Sequence, residues 1–206
     1  MMKSERKTKL NNQGISLVEV LVVIGIMAIL IGGVTMGFAV ITNSYAREAA
    51  TYVTDAFGMV RTKATSITAD EWNVTFAKES ANSECVISVN RITSEAGEGG
   101  AVVTKTEVVE SYRIDSDIVI TYIHDAADSD AAHTLELSDS NGPLVIKFNV
   151  GQGSVEGIYY TDAQINANTT WGASPSGISS IVIQSGSFSR TIELYHTTGK
   201  YDIIDD

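Results

Sequence analysis

One carboxylate stands inside a long apolar stretch near the start of the sequence. Residues 15–40 read ISLVEVLVVIGIMAILIGGVTMGFAV, and Glu19 is the only charged residue among them. Placing an ionised carboxylate in hydrocarbon costs roughly 3 kcal/mol on insertion scales, so such a residue is expected to have a function and a partner. The nearest candidate partner is an α-amino group, which a cut between Gly14 and Ile15 would create.

The apolar stretch is long enough to cross a bilayer, which takes about 20 residues. The preceding segment, residues 1–14, is polar and carries a charge of +3. Positive charge on one flank keeps that flank in the cytoplasm. We therefore expect everything after residue 40 to lie on the other side of the membrane.

These features together resemble the leader of type IV prepilins and of secretion pseudopilins. That leader is short and basic and ends in Gly, and a Glu follows at the fifth position of the mature chain. The resemblance implies cleavage by a prepilin peptidase between Gly14 and Ile15, N-methylation of Ile15, and a role for Glu19 in filament assembly. Two features depart from the family pattern: Ile15 stands where Phe is most common, and the helix has no Pro about twenty residues in.

Two ordinary alternatives fit the same stretch less well. A secretory signal peptide has about 7–15 apolar residues followed by a small-residue cleavage site. The apolar stretch here is longer, and no such site closes it. A plain single-pass membrane anchor fits the length of the stretch but does not explain why Glu19 is present.

The composition limits what the rest of the chain does. The 206 residues carry a net charge of −11, so the chain without residues 1–14 carries −14. An acidic domain repels nucleic acid phosphates, so we expect no nucleic acid partner. The single cysteine, Cys85, excludes an intrachain disulfide, and its strand-like surroundings predict a buried apolar side chain.

After residue 40 the apolar residues recur every three or four positions, which indicates one buried helical face. A helix over residues 15–67 would be on the order of 80 Å long. We therefore predict four segments: a cleaved leader (1–14), a transmembrane or filament-core helix (15–40), an amphipathic continuation (41–68) and a β-rich globular domain (69–206). The predicted buried face comprises Tyr45, Ala49, Tyr52, Val53, Ala56, Val60, Ala64 and Ile67.

From residue 72 the apolar period changes to two, and Gly-rich or polar turns separate the segments, which favours antiparallel strands. Residues 158–177 show the weakest pattern. The predicted fold class is α+β, with the long N-terminal helix packed on a C-terminal antiparallel β-rich domain. The strand residues expected to contact the helix are Val145, Ile146, Phe148, Ile181, Ile183 and Ile192.

The β-rich part is similar in several short motifs to the H-type minor pseudopilin and FimT group. That group has an I-x-F strand with a Gly-rich turn, then a closing hairpin with Arg-x-Ile before Gly-Lys. The corresponding residues here are Ile146-Lys147-Phe148 with Gly151 and Gly153, then Arg190-Thr191-Ile192 and Gly199-Lys200. The resemblance implies a pilin-like fold.

No constellation in the sequence predicts catalysis, a cofactor or a metal. The loop HDAADSDAAH (124–133) is rich in oxygen ligands but lacks the EF-hand pattern, and its two His residues do not have zinc spacing. A solvated acidic loop is the interpretation we favour. We expect the chain to be a substrate of a peptidase and not an enzyme.

The leading hypothesis is a minor pilin or pseudopilin, a structural subunit of a type IV pilus or of a type II secretion or competence pseudopilus. Its expected partners are prepilin peptidase, other pilin subunits in a helical filament, and membrane lipid along residues 15–40. A pilus-tip binding module, such as an adhesin, is the alternative of a different class. A DNA receptor is disfavoured because the chain ends in the acidic segment YDIIDD.

Overall fold

The chain combines one long helix with an antiparallel β-rich region, as the predicted α+β class requires. It divides into two compact units, Met1–Ile41 and Thr42–Asp206. The computed structural model describes residues 16–66, 70–80, 83–96, 102–124, 133–137, 142–162, 167–172 and 177–205.

The helix, α1, spans Leu17–Ala64 and contains no proline, so its hydrogen-bond ladder has no forced break. Its predicted end at Ile67 lies outside the described residues. Arg61 and Lys63 occupy the last turn, where positive charge complements the partial negative charge of the helix C-terminus. The chain leaves the helix through a tight turn, in which the N–H of Ser66 donates to the carbonyl of Lys63 at 3.0 Å.

The first unit exposes large apolar side chains along α1. Leu17 is 80% exposed and Ile29 is 76% exposed, and the residues between them share this exposure. Among the described residues, no helix combines the length and the apolar character needed to cross a membrane.

The second unit holds eleven described strands in two sheets. In spatial order, the first sheet is β3-β2-β1-β6-β7-β8 and the second is β11-β10-β9-β4-β5. The strands are β1 Glu71–Lys78, β2 Cys85–Ala96, β3 Val102–Ile114, β4 Val119–His124, β5 His133–Glu136, β6 Leu144–Phe148, β7 Val155–Asp162, β8 Ala167–Gly172, β9 Ile178–Ser185, β10 Phe188–Tyr195 and β11 Lys200–Asp205.

Phe57 lies at the centre of the packing between α1 and both sheets. Its ring centroid is 6.2 Å from those of Phe76 on β1 and Phe148 on β6 in the first sheet, and 6.2 Å from that of Tyr201 on β11 in the second. The side chain is fully buried. Helix and sheets therefore share one continuous core.

The predicted helix face is correct over most of its length. Val53, Ala56 and Val60 are fully buried. Tyr52 is half-buried and stacks on Tyr112 of β3, with ring centroids 5.3 Å apart. Tyr45 was wrongly assigned to the buried face: it is 47% exposed.

The strand residues predicted to contact the helix are buried with one exception. Ile146, Phe148, Ile181, Ile183 and Ile192 are buried. Val145 is only half-buried, because alternate residues of β6 point to opposite faces and Leu144, Ile146 and Phe148 occupy the core face.

Candidate processing and assembly site

Ser16 and Glu19 form a reciprocal cap at the start of α1. The Ser16 N–H donates to Glu19 Oε2 at 3.2 Å, and the Val18 N–H donates to Ser16 Oγ at 3.3 Å. The first backbone amides of a helix have no hydrogen-bond partner within the helix, so this capping box pairs amides that would otherwise lack one. The Glu19 carboxylate also lies in the first turn, where the helix dipole favours negative charge.

The remaining predicted processing residues, Gly14 and Ile15, lie outside the described residues. Glu19 is exposed. Within the described part of the chain, Glu19 accepts a hydrogen bond through Oε2. The sequence reasoning assigned Glu19 to assembly and missed its capping role. The signal was present, since Ser-x-x-Glu before an apolar run is a capping-box pattern.

Contacts from the Gly-rich turn after β6 and from the closing hairpin hold the C-terminal end of α1. The Gly151 N–H donates to the carbonyl of Ala64 at 2.7 Å, which satisfies one of the last helical carbonyls. A Cβ at Gly153 would lie 2.7 Å from Thr65 Cγ2, so this turn passes directly against the helix end. Arg61 Nε donates to the carbonyl of Thr198 at 3.1 Å from the same side.

The structure brings some of the H-type and FimT motifs in the β-rich part close together and leaves one of them apart. Gly153 contacts Gly199, because a Cβ at Gly199 would lie 1.8 Å from the carbonyl oxygen of Gly153. Phe148 also contacts this point, with Cε1 3.3 Å from the same Cβ position. Arg190 stands apart, paired in register with Asp205 at the far end of the closing hairpin.

Four buried polar side chains are joined by hydrogen bonds at the second sheet. The Ser179 hydroxyl is 2.6 Å from His196 Nε2 and 2.6 Å from the Tyr122 hydroxyl. Tyr122 also lies 3.1 Å from His124 Nδ1. Ser179 is 0% exposed, so its Oγ is closed to solvent. The arrangement gives each of these four buried side chains a hydrogen-bond partner.

Asp125, Asp128 and Asp130 of the predicted acidic loop lie outside the described residues. The backbones of His124 and His133 pair in register between β4 and β5.

Comparison with family models found a match in the N-terminal segment. Residues 9–35 match the model described as the prokaryotic N-terminal methylation motif. The chain carries this motif. The match supports a type IV pilin-like protein that prepilin peptidase processes. Comparisons with curated proteins and with solved structures gave no match.

The methylation motif includes the capping box and the exposed apolar turns that follow it. It ends well before the glycine cluster at the far end of α1. The similarity to the H-type and FimT group therefore depends on residues outside the matched range, and the match neither includes nor tests them.

Proposed function

We propose that the chain is a minor pilin or pseudopilin, a structural subunit that is cut by prepilin peptidase and then enters a helical filament. The observation that carries this proposal is the methylation motif at residues 9–35, with Glu19 in the first turn of α1. In this proposal the chain is a substrate of the peptidase and not itself an enzyme. It carries no cofactor.

The exposed apolar surface of the first unit supports a lipid or filament environment. Large side chains from Leu17 to Ile31 are more than 40% exposed, and contiguous apolar surface of this kind marks a region that another apolar phase covers. We propose that residues 15–40 cross the inner membrane once, with residues 1–14 in the cytoplasm and the β-rich domain outside. The same residues then lie in the filament core at the cell surface.

Glu19 has the geometry to serve two partners in succession. Its Oε2 accepts from the Ser16 N–H within the chain, and the carboxylate is exposed. We propose that it pairs with the N-methylated amine of Ile15 in a neighbouring subunit. A buried ion pair that loses one partner is strongly destabilised, so this pairing would fix the register between subunits.

The glycine cluster supports the narrower assignment to the H-type and FimT group. Gly151, Gly153 and Gly199 all have positive φ angles and converge at the C-terminal end of α1. These three motif positions thus have a shared structural purpose, which is to close the β-rich domain around the helix end. On that basis we propose that the chain belongs to this group.

The test separates the charge of Glu19 from its capping role. Glu19→Gln keeps an oxygen that accepts from the Ser16 N–H, because Gln also serves in a capping box, but removes the charge. Glu19→Val removes both, and Ser16→Ala removes only the serine half of the cap. Cells are sheared, and the subunit is measured in the filament and membrane fractions.

Both Glu19 variants should be inserted and cleaved like the parent but depleted from the filament fraction. Ser16→Ala should be incorporated like the parent. Incorporation of Glu19→Gln at the parent's level would remove the pairing argument, and loss of all three variants from the membrane fraction would instead assign Glu19 to helix formation.

A further inference from the structure

In the part of the chain that the structure describes, the strand β3 lies at the edge of the first sheet and has one side unpaired. Among the described strands it pairs only with β2. Every residue from Val102 to Ser111 is exposed, and Val102 and Val108 are 73% and 59% exposed. An edge strand with free backbone groups and exposed valines is a ready template for another strand.

The end of β3 near Val102 also extends, together with β2, past the end of the neighbouring strand β1. The pairing of β1 with β2 ends at Ile92, whereas β2 and β3 continue to pair as far as Ala96 and Val102. A β-bulge separates this end from the rest of β3, since Val89 pairs with Glu110 but Asn90 pairs with Val108. The segment Val102–Val108 is therefore a regular strand, with no proline to block pairing.

We propose that this segment pairs antiparallel with the same segment of a second copy of the chain, with Thr106 opposite Thr106. The pairing gives an isologous dimer through β3. It does not depend on the proposed function, because it involves no residue of the methylation motif.

Symmetry restricts the registers that such a dimer can adopt. Residues directly opposite each other in an antiparallel pair point to the same face of the sheet. A two-fold axis perpendicular to the sheet preserves each face, so one residue must lie on the axis, opposite its own copy. Registers in which no residue faces itself are excluded.

The charges on β3 then select one register. With Thr106 on the axis, Lys105 of each copy faces Glu107 of the other, which gives two opposite-charge pairs. Moving the axis to Lys105 sets Lys105 against itself, and moving it to Glu107 sets Glu107 against itself. Like charges directly opposite destabilise a strand pair, whereas opposite charges stabilise it. The chain thus has a charge pattern that is complementary to itself only about Thr106.

The proposed contact is short, because the bulge ends the regular segment at Val108. Interfaces of this size are weak, so the dimer should depend on concentration and should be favoured when both copies are held in one membrane.

Cysteine cross-linking tests the register in the full chain, in membranes and after extraction in detergent. Thr106→Cys should form a disulfide-linked homodimer under mild oxidation. Lys105→Cys and Glu107→Cys should each cross-link poorly alone but should cross-link to each other when the two variants are mixed. The parent chain is the control, since its only thiol, Cys85, is buried.

Charge reversal tests whether the ion pairs hold the dimer. Lys105→Glu and Glu107→Lys should each weaken dimerisation about tenfold, because each turns two attractive pairs into repulsive ones. The double variant Lys105→Glu/Glu107→Lys should restore it. The fractions of dimer and monomer are measured by sedimentation in detergent. Any association through the apolar helix is the same in the parent, the two single variants and the double variant, so it does not affect the comparison.

Three outcomes would overturn the proposal. The first is a Thr106→Cys chain that stays monomeric while Lys105→Cys or Glu107→Cys self-links. The second is a double variant as weak as the single ones. The third is a Thr106→Cys adduct in membranes whose mass corresponds to a different protein, which would assign β3 to a hetero-partner.

Discussion

The α-carbon of Gly199 faces the carbonyl oxygen of Gly153 so closely that a methyl group on Gly199 would lie 1.8 Å from that oxygen. Gly199 also has a φ of 61°, a region that L side chains rarely adopt. The closing hairpin and the Gly-rich turn after β6 therefore touch through backbone alone.

Gly199→Ala should destabilise the β-rich domain by about 3 kcal/mol. The left-handed conformation alone costs roughly 1–2 kcal/mol, and the overlap with a backbone atom cannot be relieved by rotating a side chain. Urea denaturation of the detergent-solubilised chain, followed by tryptophan fluorescence, measures the change.

Gly151→Ala is the matched control, since Gly151 has a φ of 81° but no atom within 4 Å of its Cβ position. It should carry only the conformational cost. If the two variants are equally stable, the contact between Gly199 and Gly153 does not hold the hairpin.

Ala56→Asp tests the face of α1 that packs on the sheets. Ala56 is 0% exposed, and a charge there would have no solvent to stabilise it, so unfolding should become easier by several kcal/mol. Thr51→Asp places the same charge on the exposed side of the helix and should change stability by less than about 0.5 kcal/mol. Equal melting curves for Ala56→Asp and the parent would show that this face is not buried.

The Cys85 thiol should resist alkylation in the folded chain. Burial raises its pKa to about 11, and this outweighs the opposing influence of Lys78. Because the thiolate is the reactive form, iodoacetamide at pH 8 should label Cys85 slowly, and labelling should accelerate as the pH rises towards 11 or when denaturant is added.

The exposed Cys in Thr106→Cys gives the comparison rate within one molecule. Labelling of Cys85 as fast as that of the introduced Cys would mean that the strand β2 opens readily.

The helix and most strands followed from local patterns in the sequence. Val53 and Val60 have helical spacing, and Trp72, Val74 and Phe76 have strand spacing, so residue periodicity was sufficient there. Phe57 was left out of the predicted buried face, although it lies four residues after Val53 and three before Val60 and so has the same helical spacing. It is nevertheless the side chain on which both sheets converge.

The strands β7 and β8 fell within the region with the weakest pattern. Ile158 is fully buried, but its neighbours along β7 include Gly157 and the exposed Tyr159, so alternation is hard to see. The place of β7 in the sheet comes from backbone pairing with β6, and that of β8 from pairing with β7, which are tertiary properties. The pairing of β1 with β6, about 70 residues apart, is likewise not encoded in any local pattern.

The N-terminal site residues were predicted from a resemblance, which says nothing of their geometry. Gly14, Ile15 and Glu19 were identified because the segment resembles a prepilin leader, and the matched motif spans all three positions. The hydrogen bond from Ser16 to Glu19 depends on where the helix begins, and helix boundaries are the least certain feature of a sequence pattern.

Intact mass spectrometry of the membrane-extracted protein tests the central claim, that the chain is a processed type IV pilin-like subunit, most directly. The account predicts the mass of residues 15–206 plus one methyl group. Gly14→Val should retain the full-length mass, because the β-branched side chain restricts the extended backbone at the cut and crowds the peptidase. A full-length parent protein, or a parent cleaved after Ala39, would contradict the account.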